Sequence, residues 1–194
     1  MNELLCKCYD TDKLDELEFE DSKSIKQFGV DDRQMEYVKL FHKFFDSNDE
    51  LKNAYESMVM DIVEKHYKCD VYFQVTPNIR LHQPESTSLG RRDIDPEGMI
   101  GYHSDNEFNH PKGEDNWIYA ITDMFDSNSL YYGDYDDVHN VNLKQGEFAS
   151  FDFNVVKHWN KINKTGKTRL SLDFRIMRTD VSPLKNNYYK YLVY

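Results

Sequence analysis

Cysteine is scarce: Cys6, Cys8 and Cys69 are the whole complement of the 194-residue chain. Three thiols exclude a disulfide framework, and one C-x-C pair without a second pair does not have zinc-site spacing. Reduced thiols are expected. No apolar run approaches the length of a membrane span. The opening Met1-Asn-Glu-Leu-Leu-Cys-Lys-Cys8 lacks the basic, long-apolar, small-residue order of a signal peptide. A cytoplasmic protein with no membrane partner is therefore expected. Basic charge is also short, with 24 Lys and Arg against 35 Asp and Glu and a formal charge of −11. That disfavours phosphate-backbone binding, which needs clustered cations, so no nucleic-acid partner is expected. No repeat, low-complexity tract or linker divides the chain, and its length fits a single domain, 1–194, with one core.

What the sequence does hold is aromatic: 14% of its residues are Phe, Trp or Tyr, so a core rich in Tyr and Phe is expected. Residues 1–30 are acidic and read as irregular. Over 31–68 the period is helical, with Met35, Val38, Phe41 and Phe45 on one stripe and Asp31 or Asp32 as N-cap. A second helix starts at Ser47-Asn-Asp-Glu50, a capping-box pattern, and carries Leu51, Tyr55, Met58, Val59, Ile62 and Val63. From Val71 the period changes to two. Val71, Phe73 and Val75, then Ile79 and Leu81, alternate with polar neighbours, among them Arg80 and His82. Those two either face a pocket or face solvent; the alternation alone is neutral between them. Strand-like runs follow at 116–124, 129–132, 138–143, 147–153 and 168–177, separated by turn formers. Short strands after two helices predict an α+β, mainly β fold, a jelly roll or barrel over 70–178 with helices packed on one side. The aromatic tail, 179–194, is expected either to dock on the body or to join an oligomer interface. Oligomeric state is open.

The chemistry-bearing stretch is Gly101-Tyr-His-Ser-Asp105. On a strand, His103 and Asp105 project to one face, and His158 offers a third ligand. Two His and one carboxylate with open positions left on the ion is the donor set of non-haem Fe(II) sites. His110 and His139 read as surface groups, and Trp159 as core. On the last long strand Arg169, Ser171, Asp173 and Arg175 share one face, while Leu170, Leu172, Phe174 and Ile176 share the other. Four polar residues facing a core need a cavity and partners. If Asn163–Gly166 is a hairpin turn, His158 and Arg169 sit opposite one another, with Cα atoms about 4.5–5.5 Å apart. An arginine there can grip a carboxylate through two parallel bonds, and Ser171 can add a hydroxyl. Six of the seven arginines fall between 80 and 178, so Arg80, Arg91, Arg92 and Arg175 are candidate contacts for an anionic substrate.

In order, His103-Ser-Asp105, Asn116-Trp-Ile-Tyr-Ala-Ile-Thr-Asp123, Asn128-Ser-Leu130, Gly146-Glu147, His158 and Thr168-Arg-Leu-Ser-Leu-Asp-Phe-Arg175 resemble the Fe(II)/2-oxoglutarate-dependent oxygenases. The likeness is nearest to the small streptomycin-biosynthesis-type, phytanoyl-hydroxylase-like members, and it covers about residues 71–178. It implies a double-stranded β-helix, or cupin-like jelly roll. It also implies Fe(II) on His103, Asp105 and His158, 2-oxoglutarate on Arg169 with Ser171 and Asn116, and O2 as second cosubstrate. Related halogenases replace the carboxylate with a small residue; Asp105 keeps it, which implies hydroxylation of a small-molecule substrate. Two alternatives stand beside this: a cupin-like metal enzyme that uses no 2-oxoglutarate, and a non-enzymatic barrel that binds a small ligand.

Overall fold

The computed structural model describes residues 1–20, 35–86, 100–108, 113–134, 136–180 and 188–194. Arg91, Arg92, His110 and the Asp31 and Asp32 caps lie outside them. Three helices lead the chain: α1 Asn2–Tyr9, α2 Glu36–Ser47 and α3 Asp49–Ile62, the last running into a π-helical turn, Val63–Tyr67. Among the described residues ten strands follow: β1 Val71–Gln74, β2 Asn78–His82, β3 Ile100–His103, β4 Glu114–Ala120, β5 Leu130–Asp134, β6 Asp137–Val141, β7 Phe148–Phe151, β8 His158–Asn160, β9 Arg169–Arg178 and β10 Tyr189–Leu192.

The helices pack on the sheet through the apolar stripes. Tyr37, Val38, Phe41 and Phe45 of α2 are buried with Leu51, Tyr55, Val59 and Ile62 of α3. The junction differs from the expected capping box. Asn48 is the N-cap of α3, its side chain accepting from the Leu51 N–H at 2.8 Å. Ser47 instead ends α2, its hydroxyl donating back to the Lys43 carbonyl at 2.9 Å. Between two adjoining helices, the residue whose side chain is still committed to the first cannot cap the second. Residues 2–9, expected to be irregular, form α1 with Leu4, Leu5 and Tyr9 buried; two turns with three apolar contacts are too short to show a period in sequence.

All strand pairs are antiparallel and form two sheets. In the larger, the order is β10-β1-β9-β4-β7, with β2 also on β9; in the smaller it is β3-β8-β5-β6. β1 and β2 lie end to end along the same edge of β9, against Ile176–Arg178 and Arg169–Asp173 respectively. Pro77 falls between them and has no N–H to offer the ladder. The result is a mainly β two-sheet arrangement with helices on the outer face of the larger sheet. β10 pairs with β1 from Val71↔Leu192 to Gln74↔Tyr189, so the tail docks on the body as an edge strand. Among the described residues, no helix is long and apolar enough to cross a membrane.

β9 divides two environments by its alternation. Leu170, Leu172, Phe174 and Ile176 join the helix-side core. Tyr55 is the pin of that core: it is fully buried, meets Phe174 edge-on at 5.6 Å and donates its hydroxyl to the Gln74 carbonyl at 2.7 Å. Phe174→Ala should therefore cost about 3–5 kcal/mol, the loss for a large buried aromatic, read as a lowered urea midpoint at unchanged slope. The other face of β9 looks between the sheets. There the filling is apolar on the β4, β5 and β6 side, where Ile118, Ala120, Leu130 and Val141 cluster, and polar on the β2, β8 and β9 side.

One expectation is corrected. β8 belongs to the smaller sheet and β9 to the larger, so Asn163–Gly166 is not a hairpin turn and His158 does not pair with Arg169. The partner of Arg169 in the ladder is His82. The chain from 161 to 168 crosses from one sheet to the other, held by Asn163. Its amide donates to the His82 and Lys167 carbonyls, both at 2.8 Å, while its oxygen accepts from Thr165.

Candidate metal centre

His103 closes β3 and His158 opens β8, and the two strands pair with His103 opposite His158. Their rings lie 4.2 Å apart between centroids. The pairing is irregular before His103, where the register shifts at Gly101. Gly101 has φ 71°, a left-handed conformation that L side chains rarely adopt. A bulge of this kind re-aims local groups, and here the Gly101 carbonyl meets His103 Nδ1. His158 Nδ1 similarly faces the Val156 carbonyl at 3.3 Å. A carbonyl can only accept, so a neutral ring that donates to it from Nδ1 presents a lone pair at Nε2, the tautomer a metal needs.

Asp105 arrives differently from the way the strand argument predicts. β3 ends at His103, and Asp105 starts a 3₁₀ turn, Asp105–Phe108. Ser104 makes the corner: its N–H and hydroxyl both donate to Glu107. Lys157, next to His158, pairs with the same Glu107. That bond, more than the Ser104 donors, holds the Glu107 carboxyl below the usual range. The Asp105 N–H donates to the Phe153 carbonyl at 2.8 Å. The carboxylate therefore reaches the imidazoles because the chain turns, not because it alternates. Asp105 Oδ1 lies 3.6 Å from both His103 Nε2 and His158 Nε2, and the three ligand atoms fall within 4.8 Å of one another. Among the described residues this is the group of His, Cys, Asp and Glu placed to share one metal ion. The second oxygen, Oδ2, accepts from Asn116 Nδ2 at 2.8 Å and has Arg175 Nη2 at 3.6 Å. Oδ2 is thus committed to protein, while Oδ1 is the oxygen turned towards the two imidazoles.

Arg169 stands across the gap between the sheets. It is 3% exposed, and its Nη1 donates to the Asn128 carbonyl at 3.0 Å and to Asn160 Oδ1 at 3.2 Å. Asn160 is two residues beyond His158 on β8, a strand spacing of about 7 Å, and it is at Asn160 that Arg169 meets this strand. Arg169 Nε and Ser171 Oγ are both buried without a hydrogen-bond partner among the described residues. Burial is the main force drawing the guanidinium down, to about 10, which leaves it a cation at neutral pH. Beside it His82 is fully buried, between the Ser86 and Asn128 carbonyls at 3.0 and 3.3 Å. Burial first, and the Arg169 charge second, push its imidazole down to about 3. Those two pulls favour an uncharged His82 against the carbonyls at its ring nitrogens, which favour the charged ring, and Arg169 supplies the positive charge.

The open choice for β2 resolves towards the inter-sheet face. Arg80 Nε bonds Asp173 Oδ2 at 2.9 Å, and His82 lies against Arg169. Arg175 is engaged by Glu114, Nε to Oε2 at 3.2 Å. Trp159 is fully buried on the opposite face to His158, beside Tyr102 and Tyr131. Asn160 and Glu114 touch the site residues without having been singled out in sequence, and Asn128, quoted there only as part of Asn128-Ser-Leu130, was given no role at the site. Asn160 was findable, since it is two residues from His158 on one strand face, as Glu114 is from Asn116.

No protein-family model matches the chain. Its sequence is 27% identical over 146 residues to the streptomycin biosynthesis protein StrG of Streptomyces griseus, a match that covers 75% of this chain and 66% of StrG. Its fold is similar to that of the non-haem monooxygenase ThoJ. Against the nickel complex the TM-score is 0.50 at 17% identity, covering 64% of this chain and 51% of ThoJ. Against the apo form it is 0.51 at 17% identity, covering 64% and 53%. The chain spans between about half and about two thirds of the length of these proteins. It is thus a chain similar in sequence to StrG and in fold to ThoJ, with a His–Asp–His cluster at the join of its smaller sheet that is suited to a metal ion.

Proposed function

We propose that the protein is an Fe(II)- and 2-oxoglutarate-dependent oxygenase that hydroxylates a small polar or anionic molecule. The observation that carries the reading is the pair of orphaned donors among the described residues, Arg169 Nε and Ser171 Oγ, buried on β9 across the gap from the two imidazoles of a two-His, one-carboxylate cluster. The donor set fits ferrous iron with open positions. The orphaned guanidinium and hydroxyl fit a carboxylate, since buried donors of this kind call for an acceptor. A five-carbon keto-diacid spans such a separation, one end at the metal and one at Arg169. Bound together, iron, 2-oxoglutarate and O2 supply the oxidation, with succinate and CO2 as co-products.

The chain's own residues then have separable tasks. His103, His158 and Asp105 Oδ1 hold the ion. Asn116 bonds Asp105 Oδ2, which gives it a role in aiming the carboxylate rather than in holding the cosubstrate. Arg169 and Ser171 bind the far carboxylate, and neutral His82 packs beside the guanidinium without competing for the anion. Arg80, fixed by Asp173, is left as a contact for the substrate. The strand orders β2-β9-β4-β7 and β3-β8-β5-β6 support a double-stranded β-helix, in which successive strands alternate between sheets except at the β5–β6 hairpin.

The test is succinate release by protein loaded with Fe(II), screened over polar and anionic metabolites. Succinate formation that requires both 2-oxoglutarate and a metabolite is expected. Oxygen uptake indifferent to 2-oxoglutarate would instead favour a cupin-like metal enzyme, and absence of metal binding would favour a non-enzymatic barrel.

A further inference from the structure

The Oδ2 side of Asp105 opens into a buried charge network that extends to the C-terminal strand. Arg175 Nη2 is 3.6 Å from Asp105 Oδ2, and its Nε is 3.2 Å from Glu114 Oε2. Both Arg175 and Glu114 are well covered, with side chains 13% and 1% exposed. Arg175 Nη1 also donates to the Tyr188 hydroxyl at 3.0 Å, and the Tyr189 hydroxyl donates to Glu114 Oε1. Burial, then the bond to Glu114, push the Tyr189 phenol up, so it stays a donor. Glu114 is fixed through its backbone too, its carbonyl accepting from Asn154 Nδ2 at 3.1 Å. Asn154 in turn leads back to the metal side, since its carbonyl accepts from the Asn106 N–H.

Arg175 is a largely covered arginine that lies between the Asp105 and Glu114 carboxylates and donates to Tyr188, while Tyr189 bonds Glu114. Arg175 is placed to hold the outer oxygen of a metal carboxylate. Resting on the metal site proposed above, we infer that Arg175 is a positioning residue, which with Asn116 holds Asp105 to one-oxygen coordination. We infer also that Tyr188 and Tyr189, at the start of the tail strand, hold Arg175 in place through its guanidinium and through Glu114. The C-terminal strand is then part of the metal centre's support and not only an edge of the sheet. Outer-shell partners of this kind change metal affinity by about 10–100-fold when removed.

Co(II) serves as the probe, because its visible absorption reports ligand geometry independently of turnover. Full-length Arg175→Met should bind Co(II) at least about tenfold more weakly, with a displaced visible spectrum. Because that variant leaves Glu114 buried without its cation, the double variant Arg175→Met/Glu114→Gln is measured alongside it and should show the same displacement. Tyr189→Phe should move affinity and spectrum in the same direction to a smaller extent. Arg178→Met, on the same strand but exposed and paired with Asp180, should match the wild type. An unchanged affinity and spectrum in either folded Arg175 variant overturns the positioning role, as does an equal change in Arg178→Met. An unchanged Tyr189→Phe overturns the role of the tail. If the wild type binds no Co(II) that His103→Ala abolishes, the metal site itself fails, and this inference fails with it.

Discussion

Asp105→Ala should abolish Fe(II)-dependent succinate formation and weaken metal binding by more than about 100-fold, beyond the usual cost of losing an outer-shell partner, while the chain stays folded. The expectation follows from which atoms hold residue 105 in place. Its Oδ1 lies beside the two imidazoles, and its Oδ2 takes a bond from Asn116 and the longer contact from Arg175. The bond that places residue 105 in the fold is the backbone one, N–H to the Phe153 carbonyl, which alanine keeps. Arg175 keeps Glu114, so no buried charge is stranded. Residues set aside for function are commonly neutral to stability or opposed to it, and the apo variant should melt within a few degrees of the wild type. Metal titration and thermal unfolding of the same preparation separate the two effects. Wild-type turnover in this variant would remove Asp105 from the site.

Much of this site was legible in the sequence because its parts are strong local signals in a fixed order. His103-x-Asp105, His158 and Arg169-x-Ser171 need no knowledge of pairing to be noticed. The alternation on β9 separates Arg169, Ser171, Asp173 and Arg175 from Leu170, Leu172, Phe174 and Ile176 without any neighbour being known. What sequence could not supply was the partnership of strands. The turn at 163–166 looks like a hairpin because turn chemistry is local, whereas the choice between pairing β8 with β9 and pairing it with β3 is made by contacts more than fifty residues away. The same limit hid Asn128 and Glu114, which earn their positions only through side chains on other strands. It also hid the mechanism at Asp105: x in H-x-D is Ser104, and its hydroxyl ends the strand that the i, i+2 argument assumed to continue.

Arg169→Lys should raise the 2-oxoglutarate concentration needed for half-maximal turnover by roughly 10- to 100-fold while leaving Fe(II) affinity unchanged. Lysine keeps the charge but loses the fork. One charge-assisted hydrogen bond is worth about 1.5–3 kcal/mol, and each 1.4 kcal/mol is about tenfold in affinity. A buried ammonium also sheds its proton more readily than a guanidinium, in a setting where burial already draws Arg169 down to about 10. Arg169→Ala is the less informative change. It strands the Asn128 carbonyl and Asn160 Oδ1, which now accept from Nη1, and so mixes lost stability with lost binding. Ser171→Ala should produce a smaller effect, up to about tenfold for one neutral hydrogen bond of about 0.5–1.5 kcal/mol, since Ser171 Oγ has no hydrogen-bond partner to lose among the described residues. The metal reading should stay fixed throughout, because Arg169 bonds Asn128 and Asn160 and touches none of His103, Asp105 or His158 in the bonds described. A cosubstrate titration indifferent to Arg169→Lys would show that the buried cation serves the fold. An equal loss of iron and 2-oxoglutarate binding would show that it acts on the metal cluster instead.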